Sequence, residues 1–109
     1  MRTGRLDRQI TLQSVSVVQD DLGQPIETWT NVATVWAERE SQSATKRFAA
    51  QQRFAEVDIV WRIRWYPWAP DVRPDTHRVV YQGRPFNVLG AVELGRKEGL
   101  HIATKARAE

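Results

Sequence analysis

A mainly β fold is what this sequence predicts: a small β-barrel of about six strands, with one short helix inserted between the second and third strands. Three observations predict it. Apolar and polar residues alternate over several short stretches, and clusters of Gly, Pro and Asp separate those stretches. A single Ala-, Gln- and Arg-rich stretch without Gly or Pro interrupts the alternation. Many short strands with turns between them, in 109 residues, suit a small barrel or sandwich. The length is that of a single domain, 1–109, burying about 65% of its unfolded surface and so holding a thin core.

The elements follow in order. Leu6, Ile10 and Leu12 face one way and Asp7, Gln9, Thr11 and Gln13 the other, which makes a first strand. Gln19 to Pro25 concentrates Asp, Gly and Pro, the turn formers, and reads as a hairpin-like excursion from which Ile26 to Trp29 returns. Val32 to Arg39 is a second strand, ended by Glu40-Ser41-Gln42-Ser43. Ala44 to Glu56 is the helix, with Ser43 as its N-cap. Its apolar face is weak, since Phe48 and Phe54 stand six residues apart. Val57 to Tyr66 alternates most clearly, with Val57, Ile59, Trp61, Ile63 and Trp65 inward and Asp58, Val60, Arg62, Arg64 and Tyr66 outward. Pro67, Pro70 and Pro74 break the next stretch into a loop that carries Trp68. Arg78 to Tyr81 and Phe86 to Leu89 form a hairpin about Gln82-Gly83-Arg84-Pro85, and Gly99 to Lys105 is the last strand.

Composition excludes several function classes. With no cysteine, there are no disulfides, thiolate zinc sites, iron–sulfur clusters or Cys nucleophiles. His77 and His101 are the only imidazoles, and neither sits in a sequence that marks a nucleophile or a metal site. Asp20-Asp21 lie beside Gly23 and Pro25, where turn chemistry accounts for them. No glycine-rich phosphate loop and no nucleophile elbow occurs. The expectation is a non-enzyme without cofactor or metal. The N-terminus reads as neither signal peptide nor anchor, and no stretch approaches the roughly 20 apolar residues of a membrane span.

What the composition favours is contact. Five tryptophans are many for this length, and the basic residues are 13 Arg against 3 Lys. Trp and Arg are enriched at protein interfaces, which makes Trp29, Trp68, Arg62 and Arg64 interface candidates. Arg62, Arg64 and Tyr66 on one strand face also fit an alternative, a free small-barrel module that binds single-stranded nucleic acid.

Read in order, several segments resemble one family. They are Gly4-x-Leu6 with Ile10-Thr11-Leu12-Gln13; Asp20-Asp21-Leu22-Gly23-Gln24-Pro25 with Thr28-Trp29; Val35-Trp36-Ala37; Phe48-Ala49-Ala50-Gln51-Gln52; Arg64-Trp65-Tyr66-Pro67; and Arg78 to Val88. Together, over roughly Gly4 to Ile102, these look like the tailed-phage head–tail joining proteins, also called head-closure or stopper proteins. Gly90-Ala91-Val92-Glu93-Leu94 and the link from Gly95 to Gly99 depart from that pattern by lacking a polar, Asn- or Asp-containing turn. The resemblance implies a structural virion or gene-transfer-particle neck protein, in the host cytoplasm during assembly. It implies a homo-oligomeric ring, sixfold or twelvefold, with the portal's adaptor protein above and a tail terminator or tail protein below. Packaged double-stranded DNA would occupy the channel, held without sequence specificity. It places the connection from Glu40 to Glu56 toward that channel, so that Lys46, Arg47 and Arg53 become candidates for facing DNA phosphates.

Overall fold

The computed structural model describes residues 6–52 and 57–106. Among these residues six strands are present: β1 (Arg8–Gln19), β2 (Pro25–Arg39), β3 (Ile59–Arg64), β4 (His77–Tyr81), β5 (Arg84–Leu94) and β6 (Gly99–Ala106). One helix, α1 (Gln42–Gln52), lies between β2 and β3, and a short 3-10 turn spans Ala69–Asp71. All pairings are antiparallel, and the sheet closes on itself in the order β1-β2-β3-β6-β5-β4, with β4 pairing back onto β1.

The core fills the closed sheet. Ile10, Leu12, Val35, Ala37, Ile59, Trp61, Ile63, Val79, Phe86, Val88, Leu100 and Ile102 all point into it, as the period-two alternation requires. Trp61, fully enclosed, is the largest of them and packs tilted on the Tyr81 ring at 4.8 Å and edge-on to Phe86 at 6.5 Å. Ala69 and Val72 tuck the proline-rich loop into the same core, so that loop is anchored at its middle.

The β1–β2 hairpin is the main departure from the sequence reading. The first strand runs on from Gln13 to Gln19, and the second starts at Pro25 instead of Val32. The excursion is therefore a tight turn between two long strands. Asp20 makes it: its Oδ1 accepts the N–H of Leu22 (2.9 Å) and of Gln24 (2.8 Å), while its carbonyl accepts the N–H of Gly23 (3.0 Å). Gly23, at φ +80°, takes the left-handed conformation the turn needs. One bulge interrupts the pairing, leaving Val32 without an opposite residue between Leu12↔Ala33 and Gln13↔Asn31. Beyond it the arm leaves the closed body, since β4 accompanies β1 only over Thr11–Ser14 and β3 joins β2 only over Ala37–Arg39. The molecule measures 49 × 27 × 25 Å.

Three smaller expectations need correction. The helix begins at Gln42, with the Ser41 carbonyl accepting the Thr45 N–H at 2.9 Å, so Ser43 lies inside it and is not the N-cap. Residues 53–56, with Arg53, Phe54 and Ala55, lie outside the described part. The third strand is shorter than Val57 to Tyr66: Trp65 and Tyr66 lie past its end and are half-buried against the core. Val60, expected outward, is buried, and Val57, expected inward, packs with it and with Ala103, Leu89 and Val92 in a second apolar cluster. Val57 precedes the strand, so alternation does not govern it, and the second cluster covers the outer face of β3 at Val60, ahead of Arg62.

The remaining hairpins lie where the sequence puts them. Gln82 (φ 52°) and Gly83 (φ 77°) turn β4 into β5. Gly95 (φ 59°) and Lys97 (φ 57°) turn β5 into β6. There the Glu93 carboxylate accepts the Lys97 N–H at 2.9 Å, doing from the strand end what a turn Asn or Asp does locally.

Candidate functional site

Three surfaces of this fold stand out. The first is a polar row across the outside of the sheet. Glu38, Arg62 and His101 are register neighbours on β2, β3 and β6, so their side chains emerge side by side. Arg62 Nη2 donates to Glu38 Oε2 at 2.9 Å, and its Nε lies 3.6 Å from Glu40 Oε1. His101 Nε2 is also 3.6 Å from that oxygen. Burial pushes the His101 pKa below its ordinary value, the Arg62 guanidinium pushes it the same way, and Glu38 opposes both. His77 is likewise lowered, chiefly by burial, against the pull of Asp71 and Asp75. Its Nδ1 lies 2.7 Å from the Thr76 hydroxyl. The two imidazoles stand on different strands with separate partners. Among the described residues no group of His, Asp and Glu is placed to hold a metal ion, and no helix is long and apolar enough to cross a membrane.

The second surface is the arm. Val17, Val18, Leu22, Ile26 and Val32 are exposed along it, with Leu22 at its tip 84% exposed. Contiguous exposed apolar side chains on a projecting element mark an interaction surface. From Gln9 to Ala37 the chain carries Asp20, Asp21 and Glu27 and no Lys or Arg, which leaves 16 bases against 10 acids for the rest. The arm is acidic and the remainder basic. At its base Arg78 lies over the Trp29 ring at 4.3 Å and donates from Nε to Gln13 Oε1 at 2.7 Å. Gln13 in turn donates to Asn31 Oδ1 at 2.8 Å.

The third surface surrounds Trp36, which is 54% exposed on the outer face of β2. A slot of about 140 Å³ opens on one side of it, lined by Leu6, Trp36, Arg64 and Tyr66. On the other side Arg8 and Tyr81 border a wider groove, with Arg8 Nη1 donating to the Tyr81 hydroxyl at 2.6 Å. Tyr66 and Trp68 stack at 4.9 Å with their planes 4° apart, which stiffens the wall of the slot.

The candidates read from the sequence are thus dispersed. Trp29 is half-buried under Arg78, Trp68 is half-buried on Tyr66, and Arg62 is engaged by Glu38 and Glu40, while Arg64 is exposed at the slot. Lys46 and Arg47 are exposed on α1, and Arg53 lies outside the described part. Arg62 and Arg64 therefore do not form one open basic face. Sequence reasoning missed Trp36 and Leu22. The signal for Trp36 was present, since it alternates out of phase with the buried Val35 and Ala37.

A family model described as phage head completion protein matches residues 1–108. A protein of Shigella flexneri 2a, SF1141, whose structure was solved in solution, is similar over 100% of this chain and 99% of its own, with 25% identity and a TM-score of 0.75. A chain of the virion of a native gene transfer agent particle shares the fold at 22% identity and a TM-score of 0.59, over 90% of this chain and 91% of its own. No curated protein matches.

Proposed function

The chain belongs to the phage head completion protein family, a family of structural virion proteins, and from that premise we propose that it is a ring-forming connector in the particle's neck. In this reading residues 1–109 act as one head–tail joining domain. Six or twelve copies sit between the adaptor on the portal and the tail terminator or tail protein, close the portal channel after DNA packaging, and dock the tail. The observation that carries the reading is the arm: a two-stranded projection with apolar side chains on both faces and no core of its own is costly in an isolated subunit and useful in a ring. Chemistry points the same way, because aromatic and apolar side chains are exposed at Trp36 and along the arm, while Arg62 is paired with Glu38 and Glu40.

The connection from Glu40 to Glu56 is proposed to line or close the channel. Exposed Lys46 and Arg47 support this, since phosphate contacts need solvent-facing cations and no base reading. Arg53 is carried with them as a proposal. The alternative, a free nucleic-acid-binding module, has less in its favour, because Arg62 is already committed to Glu38 and Glu40.

Replacing Ala44 to Arg53 by a short Gly-Ser linker tests the channel role. The body should fold, because Arg39 and Val57 then bracket a simple connection, and particles built with the shortened chain should lose packaged DNA. Particles that retain DNA fully with the linker in place would reduce the segment to a spacer.

A further inference from the structure

We propose that the tip of the β1–β2 arm is a knob that seats in the Trp36 slot of a second copy of this chain, so that each subunit holds its neighbour head to tail. The proposal rests on the ring reading above and names the contact that would build the ring.

The knob is pre-formed. Leu22 is held outward by the Asp20 clamp on its own N–H and on that of Gln24, and by the left-handed turn at Gly23. Little ordering entropy remains to be lost when it binds. The slot is pre-formed too: Leu6, Trp36 and Tyr66 make its apolar walls, its volume of about 140 Å³ suits one aliphatic side chain, and the Tyr66–Trp68 stack backs it.

Charge decides the pairing. Asp21 stands beside Leu22 at the tip, and Arg64 stands at the slot beside Trp36. Among the described residues neither is joined to an opposite charge. An arm with three acids and no base therefore meets a body carrying the excess of Arg, and a carboxylate beside a guanidinium fork forms the charge-assisted pair that fixes register.

Distance decides the partner. Pro25 and Trp36 are the two ends of one continuous strand, about 36 Å apart at roughly 3.3 Å per residue. Leu22 cannot reach the slot of its own chain. Knob and slot are different surfaces of one molecule, so their contact is heterologous, and a heterologous contact that closes makes a ring.

Because the chain has no cysteine, a Leu22→Cys, Arg64→Cys double variant gives a disulfide ladder only when the tip of one copy lies in the slot of the next. Connectors assembled on a portal–adaptor complex and then oxidised should show that ladder, and either single variant should not. Independently, Asp21→Arg or Arg64→Asp should reduce ring formation about tenfold or more, and the two together should restore it. Rings that form normally in every variant and give no ladder would overturn the knob-and-slot contact while leaving the neck ring intact. A cross-link from position 64 to the adaptor or to a tail protein would overturn it in favour of a different occupant. Absence of any ring with the unaltered chain would overturn both readings.

Discussion

The closed body and the arm are built from the same two strands, yet they are stabilised differently. In the body, β1 and β2 bury Ile10, Leu12, Val35 and Ala37 in one apolar cluster with Trp61 and Ile63. Past the bulge at Val32 the strands stay paired but bury nothing of consequence: Ser16↔Thr28 and Val18↔Ile26 stand where the core would be. There the ladder, the Asp20 turn and the polar links among Gln13, Asn31 and Arg78 do the holding. Alternation therefore means two things in one chain. In the body it sorts residues between core and solvent, and in the arm it sorts them between two faces that both await a neighbour.

The body depends most on Trp61, the largest side chain enclosed in its core. Trp61→Ala should cost about 3 to 5 kcal/mol through the cavity it leaves, read as a lower denaturant midpoint. A loss under about 1 kcal/mol would mean that the body is not held by its core. Arg62→Ala comes next. It strands Glu38 and Glu40, both about four-fifths or more buried at the side chain, and should cost about 1 to 3 kcal/mol. If Arg62→Ala proves more damaging than Trp61→Ala, the polar row holds the body and the apolar core does not.

Acid should act on the body in one direction. His101 and His77 both have folded-state pKa values below the ordinary 6.5. The unfolded chain therefore takes up protons first as pH falls below about 6.5, and stability present at neutral pH declines toward pH 5. Urea midpoints at pH 7 and pH 5 check the sign, and His101→Gln should flatten the slope. The smallest effect belongs to the arm: Leu22→Ser should change the free subunit's stability by less than about 0.5 kcal/mol. A large loss in the free subunit would show that the arm folds back and is buried, which the body–arm distinction forbids.

The sequence makes the body legible where a side chain has one place to go. Ile59, Trp61 and Ile63 alternate cleanly because one face of β3 meets the core, and Gln82-Gly83 can only be a tight turn. The arm was harder to read. Ser14 to Val18 and Ile26 to Val32 have strand composition, but with no core to bury nothing local fixes where pairing stops, and the Asp20 turn resembles a longer loop until its hydrogen bonds are seen. Val60 misleads for the opposite reason, because a second apolar layer covers the face that alternation assigns to water. The surfaces were half legible. The position of Arg64 on its strand marks it as exposed, but Arg62's commitment to Glu38 depends on β2 lying beside β3, and no spacing along the chain encodes that.

The bulge at Val32 sets the direction in which the arm points. It absorbs one residue of β2, so that Trp29 and Asn31 keep the outward phase that meets Arg78 and Gln13, and it adds twist where the arm leaves the body. From Val32 to Pro25 the strand is a lever of about 23 Å, and a change of roughly 10° at its root moves the tip by about 4 Å. Deleting Val32 leaves every inward and outward assignment unchanged but removes the kink, and so swings the tip without touching the core. If neighbouring subunits grip one another through that tip, the angle at one unpaired residue fixes the pitch between them. It then also fixes how many subunits complete a circle.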